Sequence, residues 1–150
     1  MPTVDVFTEI EIDQPLAVVS RFVSDPDNAP LWYVNIKTVN WKNNRPLAIG
    51  SQVAFVAHFL GKQLAYTYFI EEWIPDKRLT MRTSEGPFPM TTTYEWTAIS
   101  QNRTRMSLRN SGAPSGFSRW IAPFMSWAMR RANTKDLKRL KQILENNPVR

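Results

Sequence analysis

The stretch from Ser115 to Asn146 constrains this chain more than any other. It contains no glycine after Gly116, and Leu137, Leu140 and Leu144 fall on one face of a helix. Continued backwards at about 100° per residue, that face takes in Asn133, Met129, Ser126, Met125 and Ala122. The opposite side holds Phe117, Trp120, Phe124 and Trp127, followed by Arg131, Lys135 and Lys138. Pro123 either opens a helix or kinks one. Asn146, Asn147 and Pro148 supply the stop. The segment therefore reads as one long helix with an apolar face that the rest of the chain must cover.

The rest reads as strands and short helices. Val4, Phe7, Ile10 and Ile12 lie in a β-rich run, Thr3 to Ile12, that predicts a first strand. Asp13 suits an N-cap and Pro15 a first helical turn, so a short helix is expected to run to about Ser24. Asp25 to Trp32 is expected as a second short helix or as turns. A strand is expected around Ile36 to Lys42. Four more follow between Ser51 and Ile99: Val53, Phe55, Ala57 and Phe59 alternate, as do Leu64 to Ile70, Leu79 to Thr83, and Met90 to Trp96. A last strand, Thr104 to Asn110, separates Met106 and Leu108 from Arg105, Ser107 and Arg109. The short connections between the later strands predict an antiparallel sheet. No repeat, low-complexity tract or linker divides residues 1–150, so one domain is expected.

Charge and composition narrow the function classes. The net charge of +6 arises wholly within residues 117–150, which carry eight basic and two acidic side chains. That excess fits a solvated basic face or an anionic partner such as a lipid surface or an acidic protein. No nucleic-acid motif accompanies it, so nucleic acid is not expected as a partner. The chain has no cysteine, which excludes disulfides, thiolate catalysis and Cys-ligated zinc. With one histidine no zinc site is expected, and with no phosphate-binding glycine loop no cofactor is expected. The sequence has no apolar run of membrane-spanning length and no signal-peptide pattern, and a cytoplasmic location is the expectation.

The order is strand, two short helices, six strands, long helix. Several segments carry a resemblance: Ile12-Asp13-Gln14-Pro15 with Val19 and Phe22; Asp25-Pro26 with Pro30 and Trp32; Ile49-Gly50-Ser51; Glu71-Glu72-Trp73-Ile74-Pro75 with Arg78-Leu79; Tyr94-Glu95-Trp96 with Thr104; and Leu137 to Lys141 with Leu144-Glu145. In that order and spacing, across nearly the whole chain, they resemble the SRPBCC superfamily (START-like, polyketide cyclase/dehydrase-like). The resemblance implies an α+β helix-grip fold: a curved seven-stranded antiparallel sheet wrapped around the C-terminal helix, with a hydrophobic cavity between. The aromatic cluster Phe117-Trp120-Phe124-Trp127 is heavier than that pattern requires. The superfamily hosts carriers, cyclases and hydratase-like enzymes, so activity must be argued from the site.

Among catalytic candidates, His58 is the only histidine, and its strand parity differs from that of Val53 and Phe55. Tyr94 is the other weak candidate. Glu71 and Glu72 are adjacent in a strand, face opposite sides and cannot form an acid/base dyad. Ligand-binding candidates are richer: Trp32, Phe55, Tyr66, Tyr68, Met81, Tyr94, Met125 and Met129. Tyrosine offers an apolar ring and a hydroxyl, and methionine adapts to irregular ligands; the same residues would also suit plain core packing. Arg82 and Arg109 could meet a ligand carboxylate. Three readings stay open. One is binding of a small hydrophobic or amphipathic ligand (lipid, polyketide or aromatic metabolite) in the cavity. Another is a cyclase/dehydrase-type enzyme using the same cavity. The third is an interaction protein, in which Trp120, Phe124, Trp127, Arg131 and Lys135 meet an anionic membrane or a dimer partner. Internal packing would also account for the aromatic cluster.

Overall fold

The computed structural model describes residues 4–44, 46–59, 61–85, 89–112 and 122–146. Its elements in order are β1 (Val4–Ile12), α1 (Leu16–Ser24), a 3-10 turn (Pro26–Asn28), α2 (Ala29–Trp32), β2 (Ile36–Trp41), β3 (Gln52–Phe59), β4 (Lys62–Ile74), β5 (Arg78–Glu85), β6 (Met90–Ser100), β7 (Arg103–Gly112) and α3 (Ala122–Asn146). The expected helix residues before Ala122, with Phe117 and Trp120, lie outside the described residues, as do Asn147 and Pro148.

The seven strands form one antiparallel sheet in the order β1-β7-β6-β5-β4-β3-β2. Strands β2 to β7 are a meander, as their short connections predict. The exception is β1, which pairs with β7, so that β1 and β2 form opposite edges. The chain crosses from one edge to the other through α1, the 3-10 turn and α2. Register shifts in β4, between Thr67 and Tyr68 and between Ile70 and Glu72, bend this longest strand. Gly61 turns the chain between β3 and β4 at φ 77°, a conformation glycine adopts without a Cβ penalty.

The concave face of the sheet closes on α3. Leu137, Leu140 and Leu144 are buried against Ile12, Val19, Trp32, Ile70, Leu79, Trp96, Met106 and Leu108 in one cluster. Burying each leucine contributes about 1.5–3 kcal/mol. A second cluster joins Met125 and Met129 of α3 to Val4, Val6 and Met90. The far end of α3 is fixed by polar contacts. Gln14 donates its side-chain amide to the Leu144 carbonyl at 2.6 Å, satisfying a group that a helix end leaves open. Lys141 donates to the Glu11 carbonyl at 2.7 Å and to Glu145 at 2.8 Å.

Phe7 is 45% exposed: Val4, Val6 and Ile12 set the inward parity of β1, and Phe7 falls on the other face. Two expectations need correction. Asp13 does not cap α1, where Pro15 precedes the first helical residue and no side chain caps. The Asp13 carboxylate instead accepts from Arg103 at 2.8 Å, and its N–H donates to Glu145 at 2.7 Å. Internal packing does not account for Phe124 and Trp127, which are 52% and 58% exposed.

Because Leu140 is fully buried where sheet, α1 and α3 meet, Leu140→Ala is expected to lower unfolding free energy by about 2–5 kcal/mol. Urea denaturation followed by circular dichroism would measure it. A loss below about 1 kcal/mol would contradict this packing.

Candidate functional site

The leucine seam does not fill the whole space under the sheet. Toward its N-terminal half α3 presents Met129, Ala132, Asn133 and Asp136 instead, and a cavity of about 160 Å³ opens there. Its other walls come from α2 and the segment after it, and from the inward positions of β3 to β7. Each strand contributes by parity: Phe55 from β3, Tyr66 and Tyr68 from β4, Met81 from β5, and Tyr94 from β6. Trp32 enters from α2.

Seven of the eight sequence-predicted ligand residues therefore meet in one cavity: Trp32, Phe55, Tyr66, Tyr68, Met81, Tyr94 and Met129. Met125 packs one turn away from it, with Val4, Val6 and Met90. His58 is an exposed residue and does not line the cavity; its strand parity turns it away from Phe55. Arg109 pairs with Asp5 at 2.6 Å, Arg82 lies 3.9 Å from Glu71, and both arginines are outside the cavity wall. Glu72 binds Arg78 at 3.3 Å, so the two adjacent glutamates serve different arginines.

The cavity has a polar end that residue patterns alone did not mark. Tyr33 shares a hydrogen bond between its hydroxyl and that of Tyr94. One bond between two hydroxyls leaves one O–H proton unspent. Thr92 donates to Asn110 at 2.6 Å, and both residues line the wall. The Asp136 side chain is 2% exposed. It accepts the Val34 N–H at 2.9 Å, tying α3 to the segment after α2. Burial pushes its carboxyl up to about 7, and the Val34 bond offsets only part of that rise. Burial also raises the tyrosines: Tyr66 to about 12, and Tyr33, Tyr68 and Tyr94 upward as well. At neutral pH all four are phenols, able to donate hydrogen bonds.

Among the described residues, three of the wall hold buried polar atoms with no partner: Ser24 Oγ, Trp32 Nε1 and Asn133 Nδ2. An unpaired buried donor costs about 1–3 kcal/mol and calls for an explanation. Trp96 Nε1 is also unpaired but lies in the core, away from the wall. Among the described residues, no group of three His, Cys, Asp or Glu side chains is placed to hold a metal ion.

A family model described as polyketide cyclase/dehydrase and lipid transport matches residues 3–145. No curated protein sequence matches the chain. Among solved structures, a START superfamily protein from Mycobacterium smegmatis superposes with a TM-score of 0.82 at 12% identity, over 95% of this chain and 97% of that one. The Zhui aromatase/cyclase from Streptomyces sp. R1128 gives 0.79 at 14% identity, over 96% and 94%. A protein from Thermus thermophilus gives 0.79 at 17% identity, over 97% and 99%. At these identities the likeness establishes the fold and bears out the helix-grip architecture, and the family model bears out the SRPBCC resemblance.

The raised Asp136 carboxyl has a consequence for stability. Between about pH 4 and pH 7 the folded state holds this proton while the unfolded chain releases it. The contribution is fully present below the unfolded value and is lost as pH rises through the folded one, at no more than about 1.4 kcal/mol per pH unit. Asp136→Asn should therefore flatten the fall in melting temperature between pH 4 and 7 relative to the parent. Parallel pH profiles for the two proteins would contradict the shift.

Proposed function

The chain belongs to the polyketide cyclase/dehydrase and lipid transport family, and from that premise we propose that its cavity binds one small, largely apolar, ring-bearing molecule that also carries an oxygen acceptor. The observation that carries this reading is the Tyr33–Tyr94 hydroxyl pair, with one O–H proton unspent, in a wall otherwise built mainly of aromatic, methionine and aliphatic groups. The apolar wall favours a ring system through burial. A cavity of about 150 Å³ lined by apolar side chains can hold a benzene-sized ring. The unspent phenol proton favours a carbonyl, phenol or ether over a bare hydrocarbon, since a ligand acceptor would pair it.

A second reading, an enzyme acting in the same cavity, is favoured by Asp136. A carboxyl with its pKa near 7 is matched to giving and taking protons at neutral pH. On a β-hydroxy carbonyl compound it could take the proton next to the carbonyl and return it to the departing hydroxyl. The products would be an unsaturated carbonyl compound and water. Tyr33 and Tyr94, as neutral phenols, would hold the carbonyl oxygen by hydrogen bonding.

Titration of tryptophan fluorescence with acetophenone and its hydrocarbon analogue ethylbenzene tests the binding reading. The ketone is expected to bind about tenfold or more tighter, corresponding to one hydrogen bond to a buried donor. Tyr33→Phe with Tyr94→Phe should narrow the difference. Equal affinities for the two ligands, or no saturable binding of either, would overturn it. If turnover of a β-hydroxy ketone is found, Asp136→Asn should abolish it while binding persists.

A further inference from the structure

We propose that the outer face of α3 docks on an anionic phospholipid surface. This rests on the exposed side of the helix and does not depend on what the cavity holds. Phe124 and Trp127 stand 52% and 58% exposed at one end of the face, with ring centroids 6.1 Å apart. Arg131 follows, its guanidinium 5.8 Å from the Trp127 ring centroid. Lys135 and Lys138 continue the line, and both are exposed. At 3.6 residues per turn these five side chains share one stripe, about 20 Å long. Among the described residues, Arg131, Lys135 and Lys138 enter no ion pair. The other cations of α3 are committed: Arg130 to the Phe7 carbonyl at 3.1 Å, Arg139 to the Leu31 carbonyl at 2.6 Å, and Lys141 to Glu145 at 2.8 Å.

The chemistry of the stripe selects its occupant. Helix α3 carries two acidic residues: Asp136, which is buried, and Glu145, which is held by Lys141. No carboxylate of the helix itself therefore offsets the stripe's positive charge. A second copy docked through the same face would set two rows of cations against each other with no acid between them. A bilayer offers both complements at once: headgroup phosphates for the three cations, and an interfacial layer that accepts a tryptophan and a phenylalanine. The reverse side of the same turns, at Met129, Ala132, Asn133 and Asp136, forms a wall of the cavity. Docking in this orientation would place the cavity's helical wall against the membrane.

The test is flotation of the full chain with vesicles of phosphatidylglycerol and phosphatidylcholine, compared with phosphatidylcholine alone. Binding is expected only with the anionic vesicles, and it should weaken as salt rises. Lys135→Glu and Lys138→Glu together should lower partitioning by at least about fivefold per position, from about 1 kcal/mol per cation at the surface. Trp127→Ser should lower it further while melting temperature stays unchanged, because the side chain is exposed. Lys62→Glu with Lys77→Glu, at exposed sites away from α3, makes the same change in net charge and should leave binding near the parent level. Three results would overturn the proposal: no binding to anionic vesicles at low salt, equal loss in both lysine pairs, or a dimer in solution that Trp127→Ser dissociates.

Discussion

Everything in this structure depends on the burial of the α3 leucine face by the concave side of a single sheet. A sheet of seven strands with an apolar concave face cannot stand alone in water, and a helix with three leucines in a row cannot either. Each supplies the cover that the other lacks. The bulges in β4 curve the sheet around the helix, and β1 and β2 at the two edges are bridged by the α1–α2 crossover. The polar clasp of Gln14, Lys141 and Glu145 then fixes where α3 ends and so which of its turns lie over which strands.

The cavity follows from a change of side chains along that helix. At Leu137, Leu140 and Leu144 the space between helix and sheet is filled. At Met129, Ala132 and Asn133 shorter or more flexible groups face tyrosines, and the filling is incomplete. Into that gap the chain places groups that are costly to bury: a carboxyl, an amide and two hydroxyls sharing one bond. Asp136 meets part of its cost by accepting the Val34 N–H and part by holding its proton up to about pH 7. Core packing alone would be better served by apolar residues at these positions.

The two sides of α3 face different media. Its inner face meets a cavity that is largely apolar with a few polar groups, and its outer face is aromatic and then cationic with no compensating acid of the helix itself. A helix in a plain bundle would carry mixed charges outside and only aliphatic groups inside. Asn133 and Asp136 lie on its inner face, and Trp127 and Lys135 on its outer one.

The sequence by itself determined the strands, the antiparallel order of the meander, the long helix and its leucine seam, because these are repeating patterns of period two and 3.6 that need no partner to be seen. It also marked the cavity aromatics on β3, β4 and β6, since parity carries Phe55, Tyr66, Tyr68 and Tyr94 inward together. Asp136 was within reach: it sits four residues before Leu140 and so near the same face, but an acidic side chain reads as solvent-facing until its surroundings are known. Thr92 and Asn110 likewise share parity with Tyr94 and Leu108. Tyr33 could not be found this way, because it follows α2 in a segment with no period. Only the tertiary structure decided that β1 joins the far side of β7, that Tyr33 meets Tyr94, and that Asp136 accepts the Val34 N–H. The physical reason is that pairing across 61 residues, as between Tyr33 and Tyr94, is set by how the sheet curves around the helix, and no local spacing records that curvature.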